Sequence, residues 1–181
     1  MLAYVFWHWR QEQIARGAYL DHLAEFHQTL AANKPDGFQR SVVFSIRGAN
    51  WLKTTGEAFE EWYLLDDSAA MDRLNEAAVS GVCEEPHNRV ASEAADGTGG
   101  LYRLRVGRED LTQARFAVWF SKPAGVSYQD FYSGLQPIIS QPGVALWARQ
   151  MTLGPTTEFC LHSPNRIGLP GHLLSLDPIW F

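Results

Sequence analysis

Two segments of this chain, "GFQRSVVFSIRG" and "GVALWARQMTLG", are the same length and glycine-bounded, and each follows an aromatic strand and a helix. Each also precedes a strand with a Glu-aromatic pair, "EEWYLL" and then "TEFCLH". An order of elements that restarts restricts the chain to folds built from two like halves. The first half begins with "AYVFWHWR", where Tyr4, Phe6 and His8 alternate with Val5, Trp7 and Trp9, so both faces of a strand are largely apolar. A helix follows from about Ala18 to Ala32, with Tyr19, Leu20, Leu23, Phe26, His27 and Leu30 on one stripe, and "NKPDG" stops it. After the strand "FQRSVVFSIRG" and a loop at "ANWLKTTGEA", "FEEWYLLDD" is a third strand. Asp67 or Ser68 caps a helix carrying Ala70, Met71 and Leu74. A short helix is predicted from Pro86 to Ala95, a break at "DGTGG", and a strand at "LYRLRVG".

The resulting order, βαββαβ, is the ferredoxin-like split βαβ arrangement, an antiparallel sheet with helices on one face. The second half offers the strand "RFAVWFSKP" and the helix "SYQDFYSGLQPII", opened by Ser127 with Asp130 three residues on and shortened or kinked by Pro137. Two more strands follow, and the tail "NRIGLPGHLLSLDPIWF" has room for a turn of helix and a short last strand. The expected fold is therefore α+β: two tandem ferredoxin-like repeats, 1–107 and a shortened 114–181, with antiparallel sheets packed face to face as an α/β barrel. One larger α+β sheet is the alternative. Sheets closing in this way bury their bare faces and leave a space between them for a ligand.

Composition narrows the function. A net charge of −5 without a basic run disfavours nucleic acid, whose binding depends on neutralising phosphates. No apolar stretch reaches the length of a membrane span, and the N-terminal "MLAYVFWHWRQ" is no secretory signal, so a cytoplasmic location and no membrane partner are expected. Cys83 and Cys160 make no disulfide framework, and no Cys/His spacing resembles a zinc site, so no metal is expected.

The segment "YLDHLAEFHQTLAANKPDGFQRSVVF" resembles the EthD-like members of the dimeric α/β-barrel superfamily, which carry a helix with an early aromatic, a histidine about eight residues on, and a strand after a Pro/Gly turn. Tyr19, His27 and "PDG" sit in matching places, and "EEWYLLDDSAAMDRLNEA" resembles the third strand and next helix of such barrels. The resemblance covers roughly residues 4–106. It implies a barrel, as monomer or homodimer. Relatives include monooxygenases, muconolactone-type isomerases, polyketide cyclases, haem enzymes and proteins without known activity.

The candidate site follows from chemistry. His27 is a polar residue on an apolar stripe, and imidazole titrates near neutrality, which suits acid–base work. Tyr63 and Glu61 share one strand face, where they can orient and deprotonate a carbonyl compound. Trp7, Trp9, Trp62 and Trp119 are expected to wall the pocket, with Trp51 as a lid, His8 as a polar tip beside them, and Arg47 as holder of a carboxylate or phenolate. Each has a duller alternative as core or solvated residue. The expected ligand is a small apolar or aromatic molecule, and the expected activity a cofactor-free isomerase, cyclase or monooxygenase-like reaction on an aromatic or polyketide-like compound. The alternatives are a non-catalytic binding or stress-associated barrel and, as the resemblance implies, a haem protein. Its histidine would come from the second half, where His162 and His172 are available.

Overall fold

A computed structural model of the chain describes residues 1–151 and 153–181. Strand β1 (Leu2–Arg10), helix α1 (Arg16–Ala32), strands β2 (Phe38–Arg47) and β3 (Glu57–Leu65), helix α2 (Ala69–Ala78), a 3-10 turn (Gly81–Cys83), helix α3 (Glu84–Glu93) and strand β4 (Ala94–Val106) form the first half. Strand β5 (Phe116–Phe120), helix α4 (Tyr128–Ile139) and strands β6 (Ala145–Arg149), β7 (Phe159–Ser163), β8 (His172–Ser175) and β9 (Asp177–Trp180) form the second.

The strands make one antiparallel sheet in the order β8-β5-β7-β6-β4-β1-β3-β2-β9. Its first-half portion, β4-β1-β3-β2, is the ferredoxin-like order, and β8-β5-β7-β6 repeats that order for the second half. These two four-stranded portions are joined edge to edge by β4 and β6, and the sheet curls into the nearly closed α/β barrel that was expected. At the open seam the His172 imidazole reaches the Gly48 carbonyl, 2.6 Å away.

Two sequence expectations fail. "DGTGG" does not break the chain; it lies within β4, because its glycines accommodate the large rings of β1. A Cβ on Gly97 would lie 2.5 Å from Phe6, and one on Gly99 2.8 Å from Tyr4. The tail holds no turn of helix. It forms β8 and β9, and β9 returns to the first half to pair with β2. Pro137 is tolerated inside α4, close to its C-terminal end, and Ser127 accepts the Asp130 amide as expected of a cap.

Strand alternation sends side chains to three cores, one inside the barrel and one under the helices of each half. Ala3, Val5, Trp7, Phe44, Trp62, Tyr102, Trp119 and Trp147 point into the barrel and are buried there. The first half's outward residues, including Leu2, Val43, Phe59 and Leu65, pack under α1, α2 and α3 with Tyr19, Leu23, Phe26 and Leu30. On the second half the outward face is sealed by α4, through Phe131, Leu135 and Ile139 against Phe120, Leu146 and Phe159.

Candidate functional site

The barrel interior is filled by indoles, so the ligand space expected between the sheets is not where the cavity lies. Trp62 packs against Trp147 at 5.1 Å and Trp119 at 6.1 Å between ring centroids, and Trp7 lies 5.4 Å from Trp119. Trp51 plugs this stack from the loop after β2, at 5.3 Å from Trp119, and Trp9 is half-buried against the same core. The tryptophans expected to wall a pocket are therefore core. Arg47 stands exposed at the end of β2, where its charge acts on Glu57 and not on a cavity.

Within the interior sits Glu60, completely buried. Its carboxylate accepts Trp7 Nε1–H at 2.7 Å and Trp62 Nε1–H at 2.8 Å, and His162 Nε2 lies 4.0 Å away. His162 is sealed edge-on against Trp62, and His172 is engaged with Gly48. Neither histidine is placed to hold a haem, since one is enclosed by side chains and the other closes the barrel seam.

The cavity opens on the opposite face of the first half-sheet. It has a volume of about 590 Å³. Its floor comes from β1 and β3, where register places Phe6 opposite Glu61, Tyr4 opposite Tyr63 and His8 opposite Phe59. Its roof comes from α1 with Tyr19 and Phe26, α2 with Met71 and Leu74, and α3 with His87 and Val90. The small residues Gly97 and Ala78 leave the room.

Buried polar groups converge at its inner end. Glu61 Oε1 lies 2.7 Å from His8 Nε2, and His8 Nδ1 lies 2.6 Å from the Tyr19 hydroxyl. Tyr63 donates its hydroxyl to Glu61 Oε2. His27 Nε2 approaches Glu61 Oε1 at 3.6 Å, while its Nδ1 lies 2.8 Å from Ser41 Oγ. Burial alone would raise the Glu61 carboxyl, but the His8 and His27 imidazoles outweigh it and hold it well below the usual carboxylate range. Glu61 is then acceptor-only, so His8 Nε2 carries the proton toward it. In the tautomer protonated at Nε2, His8 Nδ1 accepts the hydrogen bond of the Tyr19 hydroxyl. Burial, reinforced by the Glu61 charge, raises the phenols of Tyr4, Tyr19 and Tyr63, which keeps all three protonated donors.

Of the residues singled out in the sequence, Glu61, Tyr63 and His8 meet the cavity, and His27 joins their cluster from behind it. His27 is fully covered, with Trp180 of β9 stacked over it at 6.2 Å. The sequence reading missed Tyr4 and Tyr19 as site residues. The signal for Tyr4 was its shared strand face with His8; that for Tyr19 was its position two helical turns before His27 on the same stripe. Among the described residues no cluster of His, Cys, Asp and Glu is arranged to hold a metal ion, and no helix is long and apolar enough to cross a membrane.

No protein-family model matches the chain, and no curated protein sequence matches it. Solved structures are similar to it. A chlorite dismutase from Candidatus Nitrospira defluvii aligns over 98% of this chain and 92% of its own, with 9% identity and a TM-score of 0.48. A structure of that protein with imidazole aligns over the same shares at 10% identity and a TM-score of 0.45. A chlorite-dismutase-like protein aligns over 98% of this chain and 95% of its own, at 11% identity and a TM-score of 0.49.

Proposed function

We propose that the cavity under α1, α2 and α3 binds a small aromatic or polyketide-like molecule, and that its inner end moves a proton next to the ligand's carbonyl without a cofactor. The observation that carries this reading is the line Tyr19–His8–Glu61, with links of 2.6 and 2.7 Å, at the end of a cavity of about 590 Å³. A hydroxyl, an imidazole and an ionised carboxylate in series are the parts of a proton relay. A volume of this order lies within the roughly 300–1,000 Å³ of small-molecule sites.

The roles follow from protonation. Glu61 is too weak a base to take a carbon-bound proton, so it anchors the charge that forms on His8. His8 is the base, and Tyr19 passes the proton: its oxygen accepts from the ligand as its own hydrogen moves to His8 Nδ1. Tyr63, whose hydroxyl donates to Glu61 Oε2, holds that carboxylate in place. His27, which the sequence favoured as the acid–base group, supports Glu61 from behind. This reading treats the chain as a duplicated barrel unit of the EthD-like kind, which the matched strand orders of its halves support.

The test is proton–deuterium exchange at the carbon beside the carbonyl of aromatic ketones and β-diketones, followed by NMR in D2O. Exchange above buffer is expected, and Tyr19→Phe or His8→Gln should lower it by about 10²-fold or more. A second reading, a binding barrel without turnover, is favoured by one observation: Tyr19 is fully covered and His8 is 1% exposed. Ketones that bind without any exchange would select it.

A further inference from the structure

Among the described residues, no Lys or Arg lines the cavity. Apart from His8 and His87, its ionisable wall groups are carboxylates, Glu61 inside and the exposed Asp72 and Asp96 at the rim, together with tyrosine phenols. Lys53 meets the rim residue Asp96 at 3.7 Å and does not line the cavity. The remaining wall is mainly apolar: Phe6, Phe26, Met71, Leu74 and Val90.

Tyr4 adds a directed donor. It is half-buried on the floor, its ring 6.0 Å from Tyr63 and stacked at 6.2 Å on Phe6, and its hydroxyl has no protein partner among the described residues. The polar side chains of the inner end that line the cavity, His8, Tyr19, Glu61 and Tyr63, are hydrogen-bonded to one another, and His27 Nε2, without a hydrogen bond, lies behind them. A phenol held protonated beside an apolar wall can donate one hydrogen bond to an incoming acceptor.

We infer that the occupant is an uncharged aromatic compound whose carbonyl accepts the Tyr4 hydroxyl, and that the carboxylate-lined wall rejects anions such as aromatic acids and phosphate esters. An anion entering here would lose its hydration and meet Glu61 with no Arg or Lys to replace the lost water. A neutral ketone has no charge to desolvate, and it meets the apolar wall and the free donor. This rests on the cavity being the ligand site proposed above.

The test measures binding to the full chain at pH 7 by titration calorimetry. The probes share one ring system: 2-acetylnaphthalene, 2-naphthylmethylammonium and 2-naphthoate. The ketone is expected to bind at least ~10-fold more tightly than the carboxylate. The ammonium should also exceed the carboxylate, a ranking that apolar character alone does not produce. Tyr4→Phe should weaken the ketone several-fold while leaving the melting temperature unchanged. Ala78→Trp, which fills the cavity from α2, should abolish binding of all three. Naphthoate binding as tightly as the ketone, or a ketone indifferent to Tyr4→Phe, overturns the inference and leaves the site standing. Binding that survives Ala78→Trp, or no binding of any probe, overturns the site and the inference together.

Discussion

Glu60 and Glu61 are neighbours in the chain, yet strand alternation places one inside the barrel and the other beneath the helices. Both are buried and both are fully supplied with donors, so β3 carries two desolvated carboxylates back to back. The pair explains why "EEWYLL" could be read for chemistry: Glu61 and Tyr63 share a face by parity, and so do Glu60 and Trp62. What parity cannot give is depth. His27 lies on an apolar stripe like Tyr19, but only packing decides that Trp180 seals the first and His8 receives the second. Glu61 also makes a stability prediction. Its folded pKa is depressed, so between that value and its ordinary value of 4.5 the unfolded chain binds more protons and stability rises with pH. The contribution is complete above about pH 4.5 and is lost as pH falls through the folded value. Glu61→Gln, which removes that ionisation, should destabilise the protein by about 2 kcal/mol at pH 7 and flatten the acid limb. Thermal melts from pH 3 to 7 check both, and an unchanged acid limb would reject Glu61 as an ionised anchor.

Elements were legible where a periodicity ran undisturbed. The 17-residue α1 and the strands β1, β2 and β3 follow from apolar spacing alone. Glycine was the main source of error, because the same residue punctuates loops and relieves crowding within sheets. In β4, Gly97 and Gly99 lie under aromatic rings of β1, a cross-strand fit that a single sequence does not display. Likewise the tail could not be placed, since β8 and β9 exist only by pairing with β5 and β2, far away in the chain. Gly107 is the glycine on which the join between halves depends. It ends β4 with a φ of +92°, and a Cβ there would sit 2.1 Å from the Val144 carbonyl at the start of β6. That obstacle is backbone and cannot rotate away. Gly107→Ala should therefore cost about 3 kcal/mol from strain and crowding together. Gly125 also has positive φ, but no neighbour lies within 4 Å of its Cβ position. Gly125→Ala should show only the smaller conformational penalty, which urea titration of the two variants will separate.

At the scale of the molecule, the proposed ligand cavity and the tryptophan core occupy opposite faces of the same sheet. The indoles of Trp7 and Trp62 from the first half and Trp119 and Trp147 from the second interlock in one interior. The β4–β6 ladder and the return of β9 to β2 tie the halves again from outside. Neither half can lose its strands without exposing the other half's tryptophans, so the two should unfold together. The expected result is one transition in urea, with tryptophan fluorescence and far-UV circular dichroism giving the same midpoint and slope. Trp62→Ala would open a void at the centre of that interior and should lower stability by about 3–5 kcal/mol. Because the void forms on the barrel side of β3, ligand binding under the helices should survive in the protein that remains folded. Two separated transitions would show instead that the halves hold independent cores, and the shared tryptophan interior would then not be what keeps the floor of the cavity in place.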